Sequence, residues 1–159
     1  MEFTRKNKTY LRMSMVLYYV YSFVVFHFLI TLHVNVYRII PAEMGYLTEL
    51  KLLDLNGNSL QGVLPTLIFR KLKKLKYLNL HMNDLFGAIP RDIGLLKNLK
   101  ELTLFGNFFF GKIPTEIANL KKLQNLDLYA NNLTGSIPSD IGKLKNLSKY
   151  KKFSLSIHI

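Results

Sequence analysis

The chain has 159 residues, 49% of them hydrophobic and 20% charged, which excludes disorder over the whole length and leaves room for one ordinary domain with appendages. There is no Cys, so disulfides, thiolate zinc sites and cysteine nucleophiles are excluded, although the compartment is not fixed by that. A formal charge of +12, from 22 Lys+Arg against 10 Asp+Glu, admits nucleic acid, anionic membrane or acidic polysaccharide as partners without choosing among them.

Residues 1–12 form a basic N-terminal segment carrying Arg5, Lys6, Lys8 and Arg12 against Glu2. Residues 13–37 then run for 25 positions without Asp, Glu, Lys or Arg. As a helix this stretch would span ~37 Å, enough to cross a ~30 Å hydrocarbon core with some tilt. No Ala-x-Ala site follows it, so the reading is an uncleaved signal anchor, with a cleaved signal sequence as the alternative. Four cations precede the segment and only Arg38 closely follows, which places the N-terminus in the cytoplasm and the remainder outside. A buried strand is the competing reading, because Val, Tyr, Phe and Ile are strand formers.

From residue 38 the chain repeats. Asn58, Asn83, Asn107 and Asn131 are spaced 25, 24 and 24 residues apart, and Pro41, Pro65, Pro90, Pro114 and Pro138 keep the same period. Gly62, Gly87, Gly111 and Gly135 each stand three residues before a proline. Each unit holds a Leu-x-Leu pair around one polar residue, as in Leu53-Asp54-Leu55 and Leu78-Asn79-Leu80, which predicts a short strand with one face inward. The Asn that follows has two amide donors and an acceptor, suited to tying together backbone groups of adjacent coils. Gly permits a backbone that a Cβ would obstruct, and Ile-Pro fixes an extended exit before a helical turn on the far side. One such coil cannot bury its own leucines, whereas a stack can.

The pattern L-x-x-L-x-x-L-x-L-x-x-N-x-L-x-G-x-I-P resembles the plant-type leucine-rich repeat of receptor-like kinases, receptor-like proteins and polygalacturonase-inhibiting proteins, over about two thirds of this chain. The resemblance implies an α/β right-handed solenoid with a parallel sheet on its concave face and short second-face strands from Gly-x-Ile-Pro. Residues 38–148 are accordingly assigned as a partial unit, four full units and the start of a fifth; residues 149–159 are an irregular basic and apolar tail. The family's usual Cys-bearing caps are absent, and the repeats end abruptly, so the chain reads as a fragment of a longer receptor with open ends.

The resemblance also implies function: a non-catalytic, membrane-anchored, receptor-like module at the plasma membrane with its repeats extracellular, binding a protein or peptide ligand or a co-receptor. The alternatives are a secreted, inhibitor-like binder of a cell-wall hydrolase, or the truncated ectodomain of a receptor-like serine/threonine kinase. Outward strand positions give the candidate binding surface: Lys51, Lys76 and Lys100 in one column, Tyr77 in the next, then Asp54, Asn79, Thr103 and Asp127, and finally an aromatic strip of His81, Phe105 and Tyr129. Aromatic residues on a rigid sheet are typical interface anchors, and flanking lysines suit a carboxylate. The plainer reading is family background at each single position. Lysines at the start of each coil read as a solvated rim, and nucleic-acid binding is disfavoured because no reader motif or stacking groove accompanies them. Asn132-Leu133-Thr134 and Asn146-Leu147-Ser148 are N-glycosylation acceptors in form, and Asn7-Lys8-Thr9 also matches. No histidine spacing suits a metal and no catalytic constellation can be assembled, so no cofactor and no enzymatic activity are expected.

Overall fold

The computed structural model describes residues 10–12 and 38–148. The expected membrane segment at 13–37 and the tail at 149–159 lie outside the described residues. Among the described residues, no helix is long and apolar enough to cross a membrane.

The described chain is a stack of coils, each laying one strand on either side of a leucine core. The strands are β1 (Tyr10–Arg12), β2 (Leu52–Asp54), β3 (Gln61–Gly62), β4 (Tyr77–Asn79), β5 (Asp84–Ala88), β6 (Glu101–Thr103), β7 (Phe108–Lys112), β8 (Asn125–Asp127) and β9 (Asn132–Thr134). They form two sheets, in the orders β1-β2-β4-β6-β8 and β3-β5-β7-β9. All pairings are parallel. Register runs straight across the first sheet, with Leu53, Leu78, Leu102 and Leu126 opposite one another. The second-face strands lie largely before the Gly-x-Ile-Pro stretch in which the resemblance implies them: β5 and β7 start just after Asn83 and Asn107 and run past the Gly, β3 spans only Gln61–Gly62, and β9 stops at Thr134, one residue before Gly135.

One pairing was not legible in the repeat. Tyr10–Arg12 joins the first sheet parallel to β2, with Tyr10 opposite Leu52 and Arg12 opposite Asp54. The sequence reading puts residues 1–12 and the repeats on opposite sides of a membrane. A single crossing by residues 13–37 would separate β1 from β2, so the two arrangements exclude each other.

Each extended proline is followed by a short helix. Ala42–Tyr46, Arg91–Leu95, Thr115–Asn119 and Ser139–Lys143 are 3₁₀ turns, while α1 (Thr66–Lys71) is α-helical. One extra residue between Pro65 and Leu72 explains the difference. In α1 the Leu72 amide reaches back four residues to Ile68, whereas Leu96 reaches back only three, to Ile93. The longer turn also seats Phe69, 1% exposed, where the next coil has Gly94. A Cβ on Gly94 would collide with the Glu116 carbonyl oxygen, so glycine there lets adjacent turns touch.

The core is a set of leucine and isoleucine columns running the length of the stack. Leu55, Leu80, Leu104 and Leu128 form one; Ile68, Ile93, Ile117 and Ile141 form another; all are buried. Truncating one such leucine to alanine should cost ~2–5 kcal/mol. The column Leu64, Ile89 and Ile113 is buried, but its last member, Ile137, is 43% exposed because no coil follows it among the described residues.

Candidate functional site

The geometry of the first sheet is fixed from behind by the asparagine ladder. Asn83 Nδ2 donates to Leu80 O and His81 O of its own coil and to Leu55 O of the preceding one, at 3.0, 3.2 and 2.9 Å. Its Oδ1 accepts from the Asn58 and Leu60 amides at 3.0 and 2.9 Å. Asn107 repeats the donor pattern on Leu104, Phe105 and Leu80, and Asn131 on Leu128, Tyr129 and Leu104. Leu80 O and Leu104 O therefore each receive one bond from their own Asn and one from the next. Asn83 and Asn107 are the two buried polar side chains among the described residues, and no buried side-chain polar atom there lacks a partner. Asn58 sits at the end of the row and donates to Asn56 O.

On the outer face of that sheet, the rings of His81, Phe105 and Tyr129 lie in line. Phe105 and Tyr129 are stacked, with ring centroids 5.7 Å apart and planes 4° from parallel. His81 tilts at 57° onto Phe105 at 6.1 Å. The strand end holds these rings in line because Met82, Gly106 and Ala130, just beyond them, all adopt left-handed backbone. Tyr77 stands beside Glu101, which accepts a 3.0 Å bond from Asn125 Nδ2.

The polar column is partly committed to its own turns. Asp54, Asn79 and Asp127 each accept from the backbone amide two residues on, at 3.3, 3.3 and 3.1 Å. These are Asx turns that stabilise the exit from the strand, so those carboxylate and amide oxygens are less free for a ligand than the sequence suggests. Thr103, in the same column, makes no side-chain hydrogen bond among the described residues.

Two classes of lysine separate clearly. At the coil starts, Lys74 pairs with Glu49 at 2.6 Å, Lys122 donates to Asn98 Oδ1, and Lys73 and Lys121 cap the carbonyls of Phe69 and Ala118. Burial pulls the Lys73 ammonium below its ordinary pKa, with repulsion from Lys97 adding to the effect. The rim is thus a bonded structural edge, to which Asn98 and Asn146 add bonds to Lys73 O and Lys121 O. Lys51, Lys76 and Lys100, by contrast, are half-buried at the head of the strands and make no ion pair among the described residues. They stand next to one another, one strand apart.

The sequence reading missed a second apolar surface. Phe86, Phe108 and Phe110 are 47%, 55% and 53% exposed on the outer face of the second sheet. Phe86 pairs with Phe108, Ala88 with Phe110, and Phe110 with Asn132. The signal was present in the run Phe108-Phe109-Phe110, since Phe109 fills the leucine position and its neighbours must point outward. Among the described residues no group of His, Asp and Glu could hold a metal ion.

Comparison with known proteins fits this geometry. The family profile described as Leucine Rich Repeat matches residues 49–70, 74–96, 98–120 and 122–144, more than half of the chain. No curated protein sequence matches it. Among solved structures, the ectodomain of the plant membrane receptor kinase GASSHO1/SCHENGEN3 from Arabidopsis thaliana, in complex with CASPARIAN STRIP INTEGRITY FACTOR 2, is 42% identical with a TM-score of 0.67, over 68% of this chain and 13% of that one. The ectodomain of the receptor kinase SOBIR1 from Arabidopsis thaliana is 34% identical with a TM-score of 0.67, over 73% of this chain and 61% of its own. The Arabidopsis receptor kinase HAESA, in complex with the peptide hormone IDA and the co-receptor SERK1, is 40% identical with a TM-score of 0.64, over 67% of this chain and 18% of HAESA. This chain therefore spans less than two thirds of each of these ectodomains. With four profile matches falling on the four coils, the chain belongs to the leucine-rich-repeat family.

Proposed function

We propose that this chain is a non-catalytic, receptor-like module that binds a protein or peptide on the outer face of its first sheet, with its repeats outside the cell. The observation that carries this reading is the stacked His81–Phe105–Tyr129 strip on the same sheet as three lysines that lack an ion-pair partner among the described residues. Preordered aromatic rings offer contact area at little entropic cost, and free cations can meet a carboxylate without first breaking a bond. The likeness to receptor ectodomains, two of them in complex with a named factor or peptide hormone, supports the same class. The test is selection of peptides from a random displayed library against the full chain. Binders should lose at least tenfold affinity to the Phe105→Ala/Tyr129→Ala variant and depend on Lys76. Selected binders indifferent to all three positions would overturn the proposal.

Anchoring through residues 13–37 belongs to the same proposal, with the N-terminus in the cytoplasm. A second reading is favoured by the β1–β2 pairing, which needs Tyr10–Arg12 and the repeats on one side of any membrane. Tags at both ends and protease protection in intact cells separate the two: opposite accessibility of the tags supports the anchor, and equal accessibility supports the paired sheet.

A further inference from the structure

The exposed phenylalanines of the second sheet and one of the sequons meet at a single point. Asn132 begins β9, and its register partner on β7 is Phe110. Along β9, Asn132 and Thr134 are exposed and Leu133 is buried, so the acceptor Asn and its hydroxyl partner share the solvent face. Phe110 alternates in the same sense on β7, exposed between half-buried Gly111 and buried Phe109. Side chains paired across parallel strands stand ~5 Å apart. Asn132 also makes no side-chain hydrogen bond among the described residues, so its amide nitrogen is at liberty. Asn146 differs: its Nδ2 donates to Lys121 O at 2.7 Å as part of the rim.

We infer that Asn132 is an N-glycosylation site whose first sugar packs on Phe110 and screens the Phe86–Phe108–Phe110 strip. The inference rests on the reading that the repeats face the secretory lumen. The donor is an oligosaccharide linked through a pyrophosphate to a polyprenyl lipid. Asn132 Nδ2 attacks the anomeric carbon, the N–C bond forms, and the C–O bond to the pyrophosphate breaks. The polyprenyl pyrophosphate leaves, and the amide proton passes to a base of the transferase. No oxidant or reductant is needed. Once attached, an N-acetylglucosamine ring presents its C–H face to an aromatic ring one strand away, and its hydroxyls to water. That arrangement covers apolar surface which a soluble protein rarely leaves open as a contiguous patch.

Occupancy is read by translating the full chain, extended at its C-terminus with a reporter sequon, in the presence of microsomes. The expected result is a glycosidase-sensitive mobility shift lost in Asn132→Gln, together with modification of the reporter. A modified reporter with no Asn132-dependent shift overturns this inference alone. Modification at neither place overturns it together with the lumenal reading. A shift lost in Asn7→Gln but not in Asn132→Gln, with the reporter modified, overturns this inference alone, because the β1–β2 pairing allows both the N-terminus and the repeats in the lumen. The packing is read on full-length glycosylated protein purified from a eukaryotic host. Trimming to a single N-acetylglucosamine should leave the Tm unchanged, and Asn132→Gln should lower it by ~4 °C, the size of one good ring contact in a domain of this length. In a Phe110→Ala background, an exposed change that leaves the core intact, the drop should fall by at least half. An equal drop in both backgrounds overturns the packing claim.

Discussion

Replacing Asn83 with alanine tests the ladder where it is most heavily used. The side chain makes five hydrogen bonds, three donated and two accepted, and joins its coil to the preceding one. Leu80 O keeps its bond from Asn107 in the variant, so that carbonyl is not orphaned. Leu55 O and the buried Leu60 amide lose theirs, and the half-buried Asn58 amide loses its bond to Asn83 as well. Each buried group left unsatisfied costs ~1–3 kcal/mol, so two of them, with some relief from water, give ~3–4 kcal/mol. Asn131, half-buried in the last full coil of the described residues, accepts from the Phe109 amide alone among them, and Asn131→Ala should cost ~1–2 kcal/mol. Urea denaturation monitored by circular dichroism measures both, and an unchanged m-value would show that the loss lies in the native state. Hydrogen exchange at Leu60 should accelerate more than at Phe109 in the Asn83 variant. Equal losses at Asn83 and Asn131, or a loss below ~1 kcal/mol at Asn83, would refute the reasoning.

Further outcomes follow from other features. Ala130 adopts left-handed backbone with φ 51°, in a column otherwise held by Gly57, Met82 and Gly106, so Ala130→Gly should stabilise by ~0.5–1 kcal/mol in the same urea assay. Gly106→Ala should destabilise, since its φ is +64° and the new Cβ would lie 2.9 Å from Met82 Sδ. Asp140 is held below the ordinary carboxylate range by the hydrogen bond and charge of Lys143. A depressed folded-state value gives stability that is present above the unfolded carboxylate value and lost as pH falls through the folded one. Because the pair is exposed, Asp140→Asn should lower the Tm at neutral pH by no more than ~2 °C and make no difference in strong acid, as thermal melts across pH would show.

What could be read from the sequence was whatever the period repeats. Leu-x-Leu bracketing a polar residue and the Asn three positions on place the first sheet, the core columns and the line of His81, Phe105 and Tyr129, because each unit meets the same physical demand, whereas Gly-x-Ile-Pro announces a second sheet without fixing where its strands begin. Features that break the period or depend on register were hidden. Phe86 and Phe110 occupy the same position within their repeats, yet Phe86 pairs with Phe108, because the second-sheet strands are offset by two residues from one coil to the next. That offset also sets Phe110 beside Asn132. The extra residue before Leu72 was visible, but its effect, an α turn in place of a 3₁₀ turn, depends on how the backbone absorbs it. The pairing of Tyr10–Arg12 with β2 joins residues 42 positions apart and has no repeat to announce it. Asp54, Asn79 and Asp127 looked like ligand contacts on the outer face, whereas much of their bonding goes to their own turns.

Because the chain has no Cys, two introduced ones can be labelled uniquely. Spin labels at Lys51→Cys and Gln124→Cys would sit just before β2 and β8, which are three strand steps apart in the first sheet. Stacked coils put those backbones ~14 Å apart, so dipolar broadening should report a single narrow separation in that range once label length is allowed for. A broad distribution centred well beyond ~25 Å would mean that the coils do not pile into one sheet, and the recognition surface built on them would not exist.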